Sequence, residues 1–180
     1  MATTIEPPPF DPVIDTAYAA VFGKQYADVI EVESFASDVS ASLGDITWDT
    51  GWQSTPPEPR CTSSQSYRTL WWGDLRLTFE IAPDQQTILA AWSLGDPSVS
   101  PLAPLGPLPP PIERTSGLTT TEGIGIGTSL DDLTAALGQT QHYVSDGRVD
   151  IPGALVTTFL LDPDEHVTAI GSGRTECHGI

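Results

Sequence analysis

Acidic residues set among tryptophans are the part of this chain best suited to chemistry. Asp49 and Asp74 fall close to Trp48, Trp52, Trp71, Trp72 and Trp92, and these five tryptophans all lie before residue 95. Two carboxyls facing each other across a cleft are what glycoside hydrolysis requires. An exposed tryptophan equally suits a protein or sugar contact. With 24 acidic residues, however, close pairs such as Asp45/Asp49 and Asp146/Asp150 arise by chance. A carbohydrate-acting hydrolase is therefore the alternative, and a non-catalytic contact surface formed by Trp52, Trp71, Trp72 and Asp49 is the leading expectation. Trp71 and Trp72 are adjacent, so on a strand they face opposite ways, and at most one is expected to be fully inside.

Other chemistry finds less support. The stretch "TTTEGIGIGTSLDDLTAALG" (119–138) has the look of a phosphate-cradling loop. Its order is G-x-G-x-G, which lacks the spacing of a dinucleotide fingerprint, and no lysine follows as a P-loop demands. Thr128 or Ser129 is placed to cap a helix whose first turn holds Asp131 and Asp132, so carboxylates already occupy the positive end of the dipole. Gly123, Gly125 and Gly127 thus read as structural, with Ile124 and Ile126 expected on one face. The turn Asp162-Pro163-Asp164-Glu165 lacks the EF-hand ligand pattern, His142, His166 and His178 form no metal set with the cysteines, and G-x-S-x-G is absent. No catalytic residue, cofactor or metal is expected.

Charge narrows the partners. The 180 residues carry 24 acidic and 7 basic side chains, a net charge of −17. Phosphate backbones and anionic lipid need clustered Lys and Arg, so neither nucleic acid nor an anionic membrane surface is an expected partner. No apolar run reaches the length of a membrane span. "MATTIEPPPF" has no basic start and no apolar core, so it is not a signal peptide. Cys61 and Cys177, 116 positions apart, read first as one disulfide and otherwise as two buried thiols. A bridge of that span would contribute about 4–5 kcal/mol in the chain-entropy picture and would place the chain outside the cytoplasm, with any export signal outside the present sequence.

The elements that must position these residues show an internal repeat. "GDLRLTFEIAPD" (73–84) matches "GALVTTFLLDPD" (153–164) at an offset of 80, with Gly73/Gly153, Leu75/Leu155, Thr78/Thr158, Phe79/Phe159, Pro83/Pro163 and Asp84/Asp164 identical. Leu75, Leu77, Phe79 and Ile81 alternate with polar residues, as on a half-buried strand. A Pro-Asp turn follows, and Ile88, Ala90, Trp92 and Leu94 form the return strand. Upstream of the first hairpin, apolar periodicity predicts a helix over about 25–43, stopped by Gly44. Upstream of the second, Leu130, Leu133, Ala136 and Leu137 predict a shorter helix stopped by Gly138. "AYAAVFG" (17–23) and "GIGIG" (123–127) are the expected lead-in strands, and "SYRTLWW" (66–72) and "QHYVS" (141–145) the first strand of each meander.

The expected organisation is a Pro-rich leader (1–16), a first repeat (17–95), a connector with seven prolines (96–117) and a second repeat (118–180). The expected fold class is α+β: two tandem strand–helix–antiparallel meander halves, helices packed on one face of the sheet.

The ordered set Asp49-Thr50-Gly51-Trp52, Cys61, Trp72-Gly73-Asp74-Leu75, Trp92, Gly123-Ile124-Gly125-Ile126-Gly127 and Cys177 resembles an uncharacterised family of secreted or lipid-anchored actinobacterial proteins. The resemblance spans most of residues 17–178 and implies paired cysteines and export; this chain lacks the lipid-attachment cysteine. In architecture alone the duplicated unit is similar to beta-lactamase-inhibitory-protein-like and small outer-membrane assembly lipoprotein domains, which bind proteins. The expected role is thus an extracytoplasmic, non-catalytic binding module for a protein or cell-envelope component, contacting it through a concave sheet face. A structural domain of an envelope protein is a further alternative.

Overall fold

The computed structural model describes residues 30–54, 66–81, 84–96, 117–120, 122–152 and 156–173. Among them, nine strands form a single antiparallel sheet, accompanied by two short helices. In chain order the elements are α1 (Val32–Leu43), β1 (Trp48–Asp49), β2 (Gln53–Ser54), β3 (Ser66–Trp72), β4 (Leu75–Ile81), β5 (Thr87–Gly95), α2 (Leu130–Leu137), β6 (Tyr143–Ser145), β7 (Arg148–Ile151), β8 (Thr157–Leu161) and β9 (Val167–Gly173). The sheet runs β1-β3-β4-β5-β9-β8-β7-β6, and β2 also pairs with β3.

This corrects the expected α+β class. Strand dominates, and the helices do not form a layer over the sheet. Three residues of α1 (Val32, Ala36, Val39) and two of α2 (Leu133, Leu137) are buried, which is one narrow stripe each. The expected strand–helix–meander unit fails at its first member as well. Residues 123–127 make turns and a single bridge, Thr119 to Gly125, rather than a strand. The lead-in at 17–23, the leader and almost all of the connector lie outside the described residues. Of the helix expected over about 25–43, residues 25–29 lie outside the described residues and α1 starts at Val32. Ile30 donates its N–H to the Thr87 carbonyl of β5 (3.0 Å), and Glu31 is extended (φ −82°, ψ 105°), so these two residues are not helical.

The repeat is carried by the sheet. β4–β5 and β8–β9 are the two hairpins, closed by the pairs Ile81–Thr87 and Leu161–Val167 at the expected offset of 80. Each ladder contains one bulge. Gln85 (φ 67°) and Glu165 (φ 62°) are the two non-glycine residues with positive φ among those described, at equivalent places in the two turns. In the first turn Asp84 accepts from the Gln86 N–H (3.1 Å); in the second, Asp162 accepts from the N–H groups of Asp164 and His166 (2.9 Å each). The strand before each hairpin also corresponds, but it is β7 that matches β3. Thr69 pairs with Thr78 as Asp150 pairs with Thr158. "QHYVS" therefore contributes an additional outer strand, and "RVDI" (148–151) is the strand its charged residues concealed.

The halves join through β5 and β9. Trp92 faces Ser172, with Ala91–Gly173 and Ser93–Gly171 on either side. The offset of 80 maps Trp92 onto Ser172, and the Ala91–Gly173 pair onto the Ser93–Gly171 pair, so a pseudo-twofold axis passes through the Trp92–Ser172 pair. Close approach here requires small residues. A Cβ at Gly173 would lie 2.4 Å from the Ala91 Cβ, and one at Gly95 (φ 103°) 2.3 Å from the Thr168 carbonyl oxygen.

One sheet face carries the apolar core. Leu75, Leu77 and Phe79 of β4, with Leu70, Trp72, Trp92 and Leu94, join Val149, Phe159, Val167 and Ile170 of the second half and the buried residues of both helices. Phe35 of α1 meets the Phe79 ring edge-on (centroids 5.8 Å apart), and the Trp72 indole N–H donates to Ser40 (2.9 Å).

Candidate functional site

The glycine stretch at 123–127 is stitched shut by its own backbone. Gly123 donates to the Thr120 carbonyl (2.8 Å), Gly125 to the Thr128 hydroxyl (3.0 Å), Gly127 to the Val167 carbonyl (2.7 Å) and Thr128 to the Gly125 carbonyl (3.2 Å). Val167 returns a bond to Thr128 (2.9 Å), and Leu130 donates to Glu165 (2.8 Å), fastening the loop to the β8–β9 turn. Ser129 caps α2 by accepting from the Asp132 N–H (3.2 Å). Phosphate cradles work by presenting unsatisfied N–H groups, and these are already used. The turns also separate the two isoleucines, which an extended strand would have kept on one face: Ile124 is buried and Ile126 is exposed.

The acidic and aromatic candidates are dispersed. Trp71 and Trp72 are both 1% exposed, although neighbours on a strand face opposite ways. Both can be inside because both faces of β3–β5 are buried. Trp52 is exposed, in the bend between β1 and β2. Asp49 accepts from the Arg68 Nε and Nη2 (3.0 and 2.8 Å) and from the Gly51 N–H (2.7 Å), while Arg68 Nη1 also reaches Glu33 of α1 (2.6 Å). The Arg68 guanidinium therefore holds the Asp49 carboxyl below its ordinary pKa, the reverse of what a general acid needs. Asp74 is buried in the β3–β4 turn. Among the described residues no three His, Cys, Asp or Glu side chains gather as cation ligands. Cys61 and Cys177 lie outside the described residues.

The face of the sheet opposite the core distinguishes the halves. One row crosses it through consecutive cross-strand pairs: Trp48–Trp71–Arg76–Ser93 in the first half, then Gly171–Thr158–Asp150–Tyr143 in the second. In the first half this face is closed. Tyr67, Thr69, Trp71, Arg76, Thr78 and Glu80 are all at or below 5% exposure, and burial pushes the pKa of Arg76 down to about 10. In the second half the same face is open toward the sheet edge, with Tyr143 57% exposed and the Arg148 side chain 46% exposed.

The open side is polar and ordered by its own bonds. Thr158 donates to Asp150 (2.6 Å), and Arg148 Nη2 donates to Asp150 (2.7 Å) and Thr158 (3.2 Å). The Gln141 amide donates to the Tyr143 hydroxyl (2.6 Å). A charge-assisted network of this kind presents a fixed pattern of donors, acceptors and one aromatic ring, which suits recognition of a partner. The sequence conceals this surface because Tyr143 sits in a short polar stretch and "RVDI", although it alternates polar with apolar, is only four residues long. The pairing register sets Arg148 and Asp150 where the first half has Tyr67 and Thr69, a spacing of 81 that the repeat offset of 80 does not reveal.

No protein-family profile matches the chain, and neither a curated protein nor a solved structure does. Among the described residues no helix is long and apolar enough to cross a membrane.

Proposed function

We propose that the protein is a non-catalytic binding module that holds a protein partner against the open sheet face of its second half, outside the cytoplasm. One observation carries this: in a duplicated scaffold, the face that is buried in one half is open at the outer strands of the other. Duplicated halves start with the same surface chemistry, and the uncovered one is available for a partner. The ordered Arg148–Asp150–Thr158 network and the Tyr143 ring supply the polar and aromatic contacts that protein interfaces concentrate. The charge of −17 favours a cationic partner surface over nucleic acid. The extracytoplasmic part rests on the resemblance to exported actinobacterial proteins and on a Cys61–Cys177 disulfide.

A photoreactive phenylalanine analogue at position 148, compared with one at position 52, tests the surface. Crosslinking of one protein from position 148, and not from position 52, is the expected result. Equal crosslinking at both positions, or none at 148, overturns the assignment. Titration of the denatured, unreduced chain checks the location; finding two free thiols would remove the disulfide.

A further inference from the structure

We propose that β6 is a docking edge that takes an extended, Lys/Arg-bearing segment of another protein as an additional strand. The inference rests on the protein-binding function above and specifies how binding occurs.

The sheet has two ends, and they are built differently. At one end β1 and β2 are two residues each, interrupted where Asp49 accepts from the Gly51 N–H and Gln53 bonds back to the Thr50 carbonyl (2.7 Å for both). That edge is broken and cannot template a strand. At the other end, among the described residues, β6 pairs with β7 alone, in an unbroken register of Tyr143–Asp150, Val144–Val149 and Ser145–Arg148. Sheet edges are ordinarily guarded by Pro, by charge, by a bulge or by being very short. Residues 143–145 are three residues long but contain no Pro, no charge and no bulge, and their pairing with β7 is unbroken.

The side chains of β6 are those of an inner strand. Tyr143 and Val144 are consecutive, so they point to opposite faces, and they are 57% and 52% exposed. Val144 ends the apolar row Val144–Val149–Phe159–Ile170 on the core face, where Val149, Phe159 and Ile170 are buried. One more strand would cover Val144 on one face and flank Tyr143 on the other, as in β-augmentation.

Charge selects the occupant. Asp146 adjoins β6 in the β6–β7 turn, and the Leu161 N–H bond to Gly147 (2.8 Å) brings Asp162 beside the same turn. Asp150 stands opposite Tyr143, and the nearby Arg148 is engaged with it. A second copy of this chain would bring another net charge of −17 to an acidic edge, whereas a basic segment is attracted to it.

The test uses the full chain and two synthetic peptides of about nine residues, one alternating Val with Lys and the other alternating Val with Glu. Amide hydrogen exchange at residues 143–145 is the readout. The Lys peptide is expected to slow exchange there, and its affinity to fall at least about tenfold between low and high salt. Val144→Pro removes an edge N–H and should abolish protection. Val144→Lys, which leaves the backbone intact, should weaken it about tenfold or more. The proposal is overturned if the Lys peptide gives no protection, if the Glu peptide protects equally, if protection falls on β1–β2 instead, or if residues 143–145 become protected through dimerisation without peptide. Failure here with crosslinking from position 148 intact removes strand addition alone; failure of both removes the binding surface.

Discussion

The two halves share a hairpin, a turn and a cross-strand polar pair, yet one keeps its outer face buried and the other opens it at its outermost strands. Thr78 and Thr158 illustrate the divergence. Both threonines are buried, but Thr78 shares a hydrogen bond with the equally buried Thr69 (3.2 Å), whereas Thr158 donates to the half-buried Asp150, which also binds the more exposed Arg148. The hydroxyl keeps a partner in both, as burial requires. What differs is the neighbouring charge, and with it the capacity to meet another molecule. A duplicated sheet can therefore hold one core constant while its reverse face serves stability in one copy and contact in the other.

The comparison can be broken most severely at its shared core. Phe79→Ala and Phe159→Ala remove rings that are at most 1% exposed, and each is expected to cost about 3–5 kcal/mol in urea unfolding. Clearly unequal costs would mean that the halves are not energetically equivalent. Gly95→Val at the seam adds a clash with β9 and a disfavoured positive φ, an expected loss of about 3 kcal/mol. Because β5–β9 is one ladder, unfolding should stay a single transition in that variant; two transitions would show that the halves fold independently.

The reverse faces give a sharper contrast at equivalent positions. Tyr67→Ala removes a buried ring and should destabilise by about 3 kcal/mol. Arg148→Ala, on a half-exposed side chain, should change stability by less than about 0.5 kcal/mol while reducing partner binding. The helices differ in a smaller way. Ser129 caps α2, so Ser129→Ala should cost about 1 kcal/mol, whereas Glu31 makes no side-chain cap on α1 and Glu31→Ala should cost little.

The smallest expected effect lies in the ion pair of Arg68 with Asp49 and Glu33. Glu33 is largely exposed, solvent screens the pair, and Arg68→Met should cost about 1 kcal/mol. The folded-state pKa of Asp49 lies below its ordinary 3.8. Its contribution is therefore fully present above that value and is lost as pH falls through the lower folded value. The difference between wild type and Arg68→Met should be constant above pH 4 and shrink in stronger acid. A difference that grew on acidification would contradict the pairing.

Local rules written along the chain were sufficient for local structure. Alternation in "LRLTFEI" specifies a strand, the offset of 80 specifies its repetition, Asp84 and the Pro-Asp pairs specify turns, and Ser129 with Gly138 bracket a helix. These depend on contacts within a few residues, which the order of residue types already contains. Long-range matters were decided only by the tertiary structure. Period two says that Trp71 and Trp72 face opposite ways, but not that both faces are buried. Helical periodicity cannot register that Ile30 is held by Thr87, a residue far along the chain. The glycines of "GIGIG" allow either a strand or a turn, and the bonds to Val167 and Thr128 select the turn. The same holds for the candidate surface: Tyr143, Asp150 and Thr158 share one face because three strands pair in one register, and register is a property of the assembled sheet.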